Sequence, residues 1–137
     1  MRQFRKSQIA NLKKMILKDN FFTIISQNIT DRKADLRIKL NVEHFIYHAH
    51  FPNNPITPGV CLIQIAVELF SSLNAVNFGI KTLKNVKFTA PINPLEFPEV
   101  DFLLEFAESE SLWQLKVLIK EKETVFAKMS LVLSSGI

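Results

Sequence analysis

The stretch His50-Phe51-Pro52-Asn53-Asn54-Pro55-Ile56-Thr57-Pro58-Gly59-Val60-Cys61-Leu62-Ile63-Gln64-Ile65-Ala66-Val67-Glu68 decides how this chain folds. Three of the six prolines fall in it at intervals of three residues. Each fixes φ and biases the residue before it toward extended backbone, so His50 to Pro58 reads as a stiff loop that holds a histidine in one place. Gly59, one of only three glycines, marks a tight turn or a close approach. The pattern then changes. Val60, Leu62, Ile63, Ile65, Ala66, Val67, Leu69 and Phe70 occupy most of the circumference of a helix predicted over about 59–77, and such a helix is buried on most sides. Its polar residues, Cys61, Gln64, Glu68, Ser71 and Ser72, share one narrow stripe, which must face something polar.

Outward from this segment the periodicity is that of strands. Phe21 to Ile25 reads as one strand, and Leu36, Ile38 and Leu40 alternate with charged residues as a second, with Thr30 to Asp35 as the polar turn between them. Downstream, Leu83 to Phe88 is followed by Pro91 and Pro94. Alternation then recurs at Val100, Phe102, Leu104 and Phe106, at Trp113, Leu115, Val117 and Ile119, and at Val125, Ala127, Met129, Leu131 and Leu133. With turns at Glu108–Ser111 and Glu121–Thr124, this predicts a C-terminal antiparallel meander over about 83–135. An N-terminal helix is predicted over about 1–18, with Ile9, Leu12 and Ile16 turned inward. A fully buried helix among antiparallel strands is best accommodated by a curved sheet wrapped round it, an α+β hot-dog arrangement.

The 137 residues, 47% of them apolar and twelve of them phenylalanine, predict a single domain over 1–137 with a substantial core, excluding disordered and fibrous classes. Cys61 is the only cysteine. No intramolecular disulfide can form and no zinc-ligand spacing exists, which favours a reducing compartment. No stretch has the order of a signal peptide and no apolar run reaches the length of a membrane span, so a cytoplasmic protein without membrane insertion is expected. The net charge of +4 is uneven: Arg2, Arg5, Lys6, Lys13, Lys14 and Lys18 precede the first acidic residue, Asp19. No interleaved aromatics or recognition motif accompany this cluster, so an acidic protein partner fits it better than nucleic acid.

His50-Phe51-Pro52-x-x-Pro55-x-x-Pro58-Gly59-Val60 resembles the active-site loop of the hot-dog 3-hydroxyacyl-(acyl carrier protein) dehydratases of fatty-acid synthesis. Val86-Lys87-Phe88-x-x-Pro91-Ile92 is similar to that family's strand after the central helix, and the resemblance covers roughly residues 10 to 135. It implies a lyase that converts 3-hydroxyacyl thioesters to trans-2-enoyl thioesters without metal or cofactor. The implied partners are an acidic acyl carrier protein, presenting the acyl chain on its phosphopantetheine arm, and at least a second copy of the chain in a homodimer, or a related subunit in a mixed hot-dog dimer, because the family's active sites lie at a dimer interface. His50 matches the histidine that acts on the C2 proton, and an imidazole ordinarily titrates near pH ~6.5, which suits that work. Gly59, with Val60, matches the helix start whose backbone N–H stabilises the developing enolate. Phe51, Pro58 and Cys61 fall where the acyl tunnel runs. A nucleophilic role for Cys61 is disfavoured, since the family needs no covalent intermediate. His44 and His48 lie outside the motif and read as surface or packing residues. Lys81, Lys84 and Lys87, with the N-terminal cluster, are candidates for guiding the carrier protein.

The departure is at the acid. The family carries Glu or Asp on the central helix fourteen residues after the histidine, and this chain has Gln64, with Glu68 one turn further along the same face. An amide cannot donate a proton as a carboxylic acid does. Three explanations are open: Glu68 supplies the proton, directly or through a water; a related subunit in a mixed dimer supplies it; or Gln64 only binds or orients an acyl group in a weak dehydratase, in a different hot-dog activity such as a thioesterase, or in an acyl-binding subunit without activity of its own.

Overall fold

The computed structural model describes residues 17–135. The basic cluster from Arg2 to Lys14 and nearly all of the helix expected over 1–18 therefore lie outside the described residues. Leu17 and Lys18 are not helical: Lys18 forms an isolated bridge to Phe22. The elements that follow are β1 (Phe22–Thr30), β2 (Lys33–Leu40), α1 (Phe45–Ala49), α2 (Gly59–Asn74), β3 (Phe78–Phe88), β4 (Glu99–Ser109), β5 (Leu112–Glu121) and β6 (Thr124–Ser135). The strands form one antiparallel sheet in the order β1-β2-β4-β5-β6-β3.

Period-two patterning explains how this sheet closes over α2. In β2, Ala34, Leu36, Ile38 and Leu40 all point to one face and are at most 1% exposed. Val100, Phe102 and Leu104 of β4, Leu115, Val117 and Ile119 of β5, and Ala127, Met129, Leu131 and Leu133 of β6 continue that face. They pack with Leu62, Ile65, Ala66, Leu69 and Phe70 of α2 in one contiguous core. Each large apolar side chain so buried stabilises the fold by about 1.5–3 kcal/mol. On the outer face, Arg37 bonds Glu99 (3.0 Å), Asp101 (3.0 Å) and Glu121 (2.8 Å), tying β2 to β4 and β5. These bonds, with Glu121 foremost, hold the Arg37 guanidinium protonated, and they draw the Glu121 carboxyl below its ordinary range.

Several boundaries differ from expectation for local physical reasons. α2 ends at Asn74, three residues before position 77, because Ala75 takes a left-handed conformation (φ 52°) and turns its N–H to the Ser71 and Ser72 carbonyls. The first turn is confined to Asp31 and Arg32, with Asp31 at φ 34°, so β1 and β2 are longer than expected. The short α1 had no counterpart in the sequence reading. The meander begins only at Glu99: the strand before it crosses over to pair with β6 and forms a sheet edge. That strand, β3, starts at Phe78 rather than Leu83 and contains two register shifts. Lys81 and Lys84 are the extra, unpaired residues at those shifts. Among the described residues, no helix is long and apolar enough to cross a membrane.

Candidate active site

His50 sits at the C-terminal end of α1, and its main chain is fixed from both sides. Its N–H donates to the Ile46 carbonyl at 2.9 Å and its own carbonyl accepts from Ile56 N–H at 3.0 Å, closing the proline loop on itself. A second tie holds the far arm, where Thr57 N–H donates to the Ile92 carbonyl at 2.9 Å. The Thr57 hydroxyl and the Tyr47 hydroxyl are 2.9 Å apart in a buried hydrogen bond. Thr57 is only 4% exposed, as expected of a polar group whose hydrogen bond is satisfied. The backbone at the loop's base is thus anchored while the His50 imidazole stays exposed. Phe51, joined to it by a cis peptide, is also exposed and lies edge-on to its ring at 5.9 Å.

The loop delivers the chain to α2 at Gly59. Pro58 occupies the N-cap position without a side-chain hydrogen bond, so the first N–H groups of the helix, those of Gly59 and Val60, have neither a capping side chain nor an intrahelical acceptor. Gly59 is a close approach. A Cβ built there would lie 2.6 Å from Phe88 Cζ and 2.8 Å from Cε2, inside van der Waals contact. Gly59 and Phe88 line a hollow of about 410 Å³ together with Leu62, Thr57 and the segment Thr89–Ile92. Val60 beside them is 72% exposed. A second hollow, of about 810 Å³, instead crosses the outer face of the sheet and includes Lys84 but none of the candidate catalytic residues.

Further along α2, Gln64 and Glu68 form a clasp. Gln64 Nε2 donates to Glu68 Oε2 at 2.8 Å. The Glu68 carboxylate also accepts from Leu17 N–H and Lys18 N–H, each at 2.8 Å. In this arrangement Glu68 acts only as an acceptor; to donate a proton it would first have to be protonated and to release main-chain N–H groups. No hydrogen bond joins His50 to Gln64 or Glu68 within the described chain.

The remaining candidates separate in the same way. Cys61 leaves the polar stripe: it is buried, and desolvation pushes its thiol up, which keeps it protonated and unreactive. His44 caps α1, with Nδ1 accepting from Ile46 N–H at 3.2 Å and Nε2 donating to Asn20 Oδ1 at 2.8 Å. Burial lowers its pKa, consistent with a neutral packing histidine. Among the described residues no cluster of side chains could hold a metal ion. Tyr47 and Thr57 were not singled out from the sequence, and of the two only Thr57, a polar residue inside the proline loop, carried a local signal. Phe88 was read as part of the strand after the central helix, without its contact with Gly59.

A six-stranded antiparallel sheet curved round one long helix, with a histidine loop leading into that helix, defines a hot-dog α+β protein. The chain belongs to the ApeI-like dehydratase family, whose model, described as ApeI dehydratase, matches residues 26–129. The fold is shared with a chain of "The Dehydratase Heterocomplex ApeI:P" from Xenorhabdus doucetiae: TM-score 0.61 and 20% identity, covering 81% of this chain and 96% of that one. It is shared equally with a hypothetical thioesterase with coenzyme A from Streptococcus pneumoniae: TM-score 0.61 and 7% identity, covering 84% and 85%. In sequence, the 3-hydroxyacyl-[acyl-carrier-protein] dehydratase FabZ of Bartonella bacilliformis is 30% identical over 74 residues, a match spanning 47% of each chain. The chain thus spans about half the length of that curated relative.

Proposed function

We propose that this protein dehydrates 3-hydroxyacyl thioesters carried on an acyl carrier protein, with His50 as base and the Gly59 amide as the thioester-carbonyl donor. The observation that carries the reading is an exposed imidazole on an anchored loop that runs directly into an uncapped helix N-terminus lined by a hollow. In the reaction, His50 takes the C2 proton and the electron pair moves onto the thioester carbonyl. The Gly59 N–H, at the positive end of the α2 dipole, stabilises that oxyanion. The enolate then re-forms the carbonyl as the C2–C3 double bond appears and the C3–O bond breaks, and the departing hydroxide takes up a proton to leave as water.

The source of that last proton divides two readings. Glu68 supplies it if the clasp opens when substrate enters. The Leu17 and Lys18 N–H contacts favour the other reading, in which Glu68 anchors the main chain at Leu17 and Lys18 and a second hot-dog subunit brings the carboxylate. A 3-hydroxyacyl-carrier substrate given to the wild type, His50→Ala, Gln64→Glu and Glu68→Gln, with enoyl product and free acid followed together, tests all of this. Loss of enoyl product in both His50→Ala and Glu68→Gln, with folding retained, is the expected signature of the displaced acid. An inactive wild type revived by Gln64→Glu or by a related subunit supports the half-site reading. Free acid without enoyl product would replace dehydration by thioester hydrolysis.

A further inference from the structure

The open edge of β3 combines features that point in opposite directions when a second copy of the chain is considered. Its apolar residues Ile80, Leu83 and Phe88 are 42%, 50% and 49% exposed. They share the face that β6 buries through Leu133, Leu131 and Ala127, and Phe88 abuts Gly59. An apolar strip running along an unpaired edge up to the site is a surface to be covered. Yet the same strand, Phe-Gly-Ile-Lys-Thr-Leu-Lys-Asn-Val-Lys-Phe, carries three lysines and no acid. Its neighbour β6 contributes Lys128, directly opposite Lys87, and likewise has no acid. None of these four lysines is in an ion pair among the described residues, where only Lys33 and Arg37 are.

A two-fold axis pairs a strand with itself antiparallel. Two β3 edges so joined bring six lysines and no carboxylate into one ribbon. A register centred on Lys84 sets Lys84 against its own copy and Lys81 against Lys87, and like charges across strands repel. The bulged lysines also interrupt the edge, whereas Asn85 to Phe88 keep an unbroken register with β6 and end at Phe88, which abuts Gly59.

We propose that the β3 edge takes a different chain, one whose own edge strand carries carboxylates opposite Lys81, Lys84 and Lys87, in preference to a second copy of this protein. The proposal rests on the reading above that a second subunit completes the site, and it names that subunit's chemistry. An acidic edge seats on Asn85–Phe88, covers Leu83 and Phe88, and gives each lysine the partner it lacks among the described residues.

The partner's chemistry can be tested with this chain alone, by building the acidic edge into it. A variant with Lys81→Glu, Lys84→Glu and Lys87→Glu has an acidic edge of otherwise identical shape; circular dichroism and thermal melting establish that it folds. Sedimentation velocity is then run on the wild type, the variant and their equimolar mixture at low and high salt. The mixed pair is expected to be about 10- to 100-fold tighter than either self-pair, from a few cross-strand charge contacts of modest strength, with the difference erased at high salt. Wild-type self-association as tight as the mixture, association insensitive to the three substitutions, or no pairing in the mixture would each overturn the proposal. Enoyl product is measured on the same mixture with Gln64→Glu added to the lysine variant, so that the mixed pair carries the carboxylate the wild type lacks: a pair that forms but does not dehydrate counts against the activity and leaves the edge intact. Activity from a tight wild-type self-pair would do the reverse.

Discussion

β2 and β3 are both strands in which apolar residues are interspersed with charges, and they meet opposite fates. In β2 the apolar residues are buried under α2, and Arg37 on the other face is bonded to three carboxylates. In β3 the corresponding face leaves Ile80, Leu83 and Phe88 about half exposed, and no lysine has an ion-pair partner among the described residues. One side of the molecule is complete within the chain. The other, which includes the His50 loop and the start of α2, is left open among the described residues. Substitutions on the closed side should therefore change stability, and those on the open side should change activity or association.

His50→Ala presses that distinction hardest. Its imidazole is exposed and the hydrogen bonds at this position are main-chain ones, so the thermal midpoint should stay within a degree or two, as for a surface change. Dehydration should fall by about 10²- to 10⁴-fold, the usual loss for a general base. A small loss of rate, or a large loss of stability, would remove His50 from the chemistry.

A matched pair of leucines measures the two sides directly. Leu36 is 1% exposed and Leu83 is 50% exposed. Leu36→Ala should destabilise the chain by about 2–5 kcal/mol through lost transfer energy and a cavity. Leu83→Ala should stay within about 0.5 kcal/mol in the isolated chain and weaken its association with a partner. Equal losses in urea unfolding would mean that the β3 face is already covered.

The closed side was also the more legible one. Strict alternation in β2, β4, β5 and β6, and the all-round apolar character of α2, mark their burial residue by residue. β3 was only half seen, because the bulges at Lys81 and Lys84 break its period of two and hide the strand before Leu83. The end of α2 was overshot because an alanine, not a glycine, takes the left-handed position. α1 is five residues long and capped by a histidine, too short for a periodic signal and without a usual capping residue. At the site, His50 and Gly59 stood out because proline spacing and a lone glycine are local properties. Of the donors to Glu68, only Gln64 one turn away was legible; Leu17 and Lys18 were not, since they act through main-chain N–H groups about 50 residues away that leave no side-chain pattern.

Gly59 lies on the boundary between the two sides, and Gly59→Ala should separate them. Alanine favours a helix start more than glycine does, and the atoms that its Cβ would meet are the tip of a half-exposed ring free to swing away. Stability should change by less than about 1 kcal/mol. The displaced Phe88 ring intrudes on the hollow, and dehydration should drop by about 10- to 100-fold, the scale of a misplaced substrate. Phe88→Ala in the same chain should recover part of the rate; if it does not, the contact is irrelevant to the site.

The smallest effect concerns the hinge of the loop on its closed flank. His44 Nδ1 accepts from Ile46 N–H, so protonating it removes the α1 cap. Burial lowers the His44 pKa in the folded chain relative to its ordinary value near ~6.5, so below that pH the unfolded state binds more protons. Stability from this group is therefore full above about pH 6.5, declines as the pH falls through that value, and stops declining once the folded-state pKa has been passed. The loss should be on the order of 0.5–1 kcal/mol, the worth of a weak cap. In His44→Asn the amide oxygen can still accept from Ile46 N–H but does not titrate. The urea midpoints taken at pH 7.5 and 5.5 should differ more in the wild type than in this variant, and the difference isolates His44 because the rest of the chain is common to both. Parallel losses would show that the cap does not sense protons, leaving the position of α1, and with it His50, independent of pH in this range.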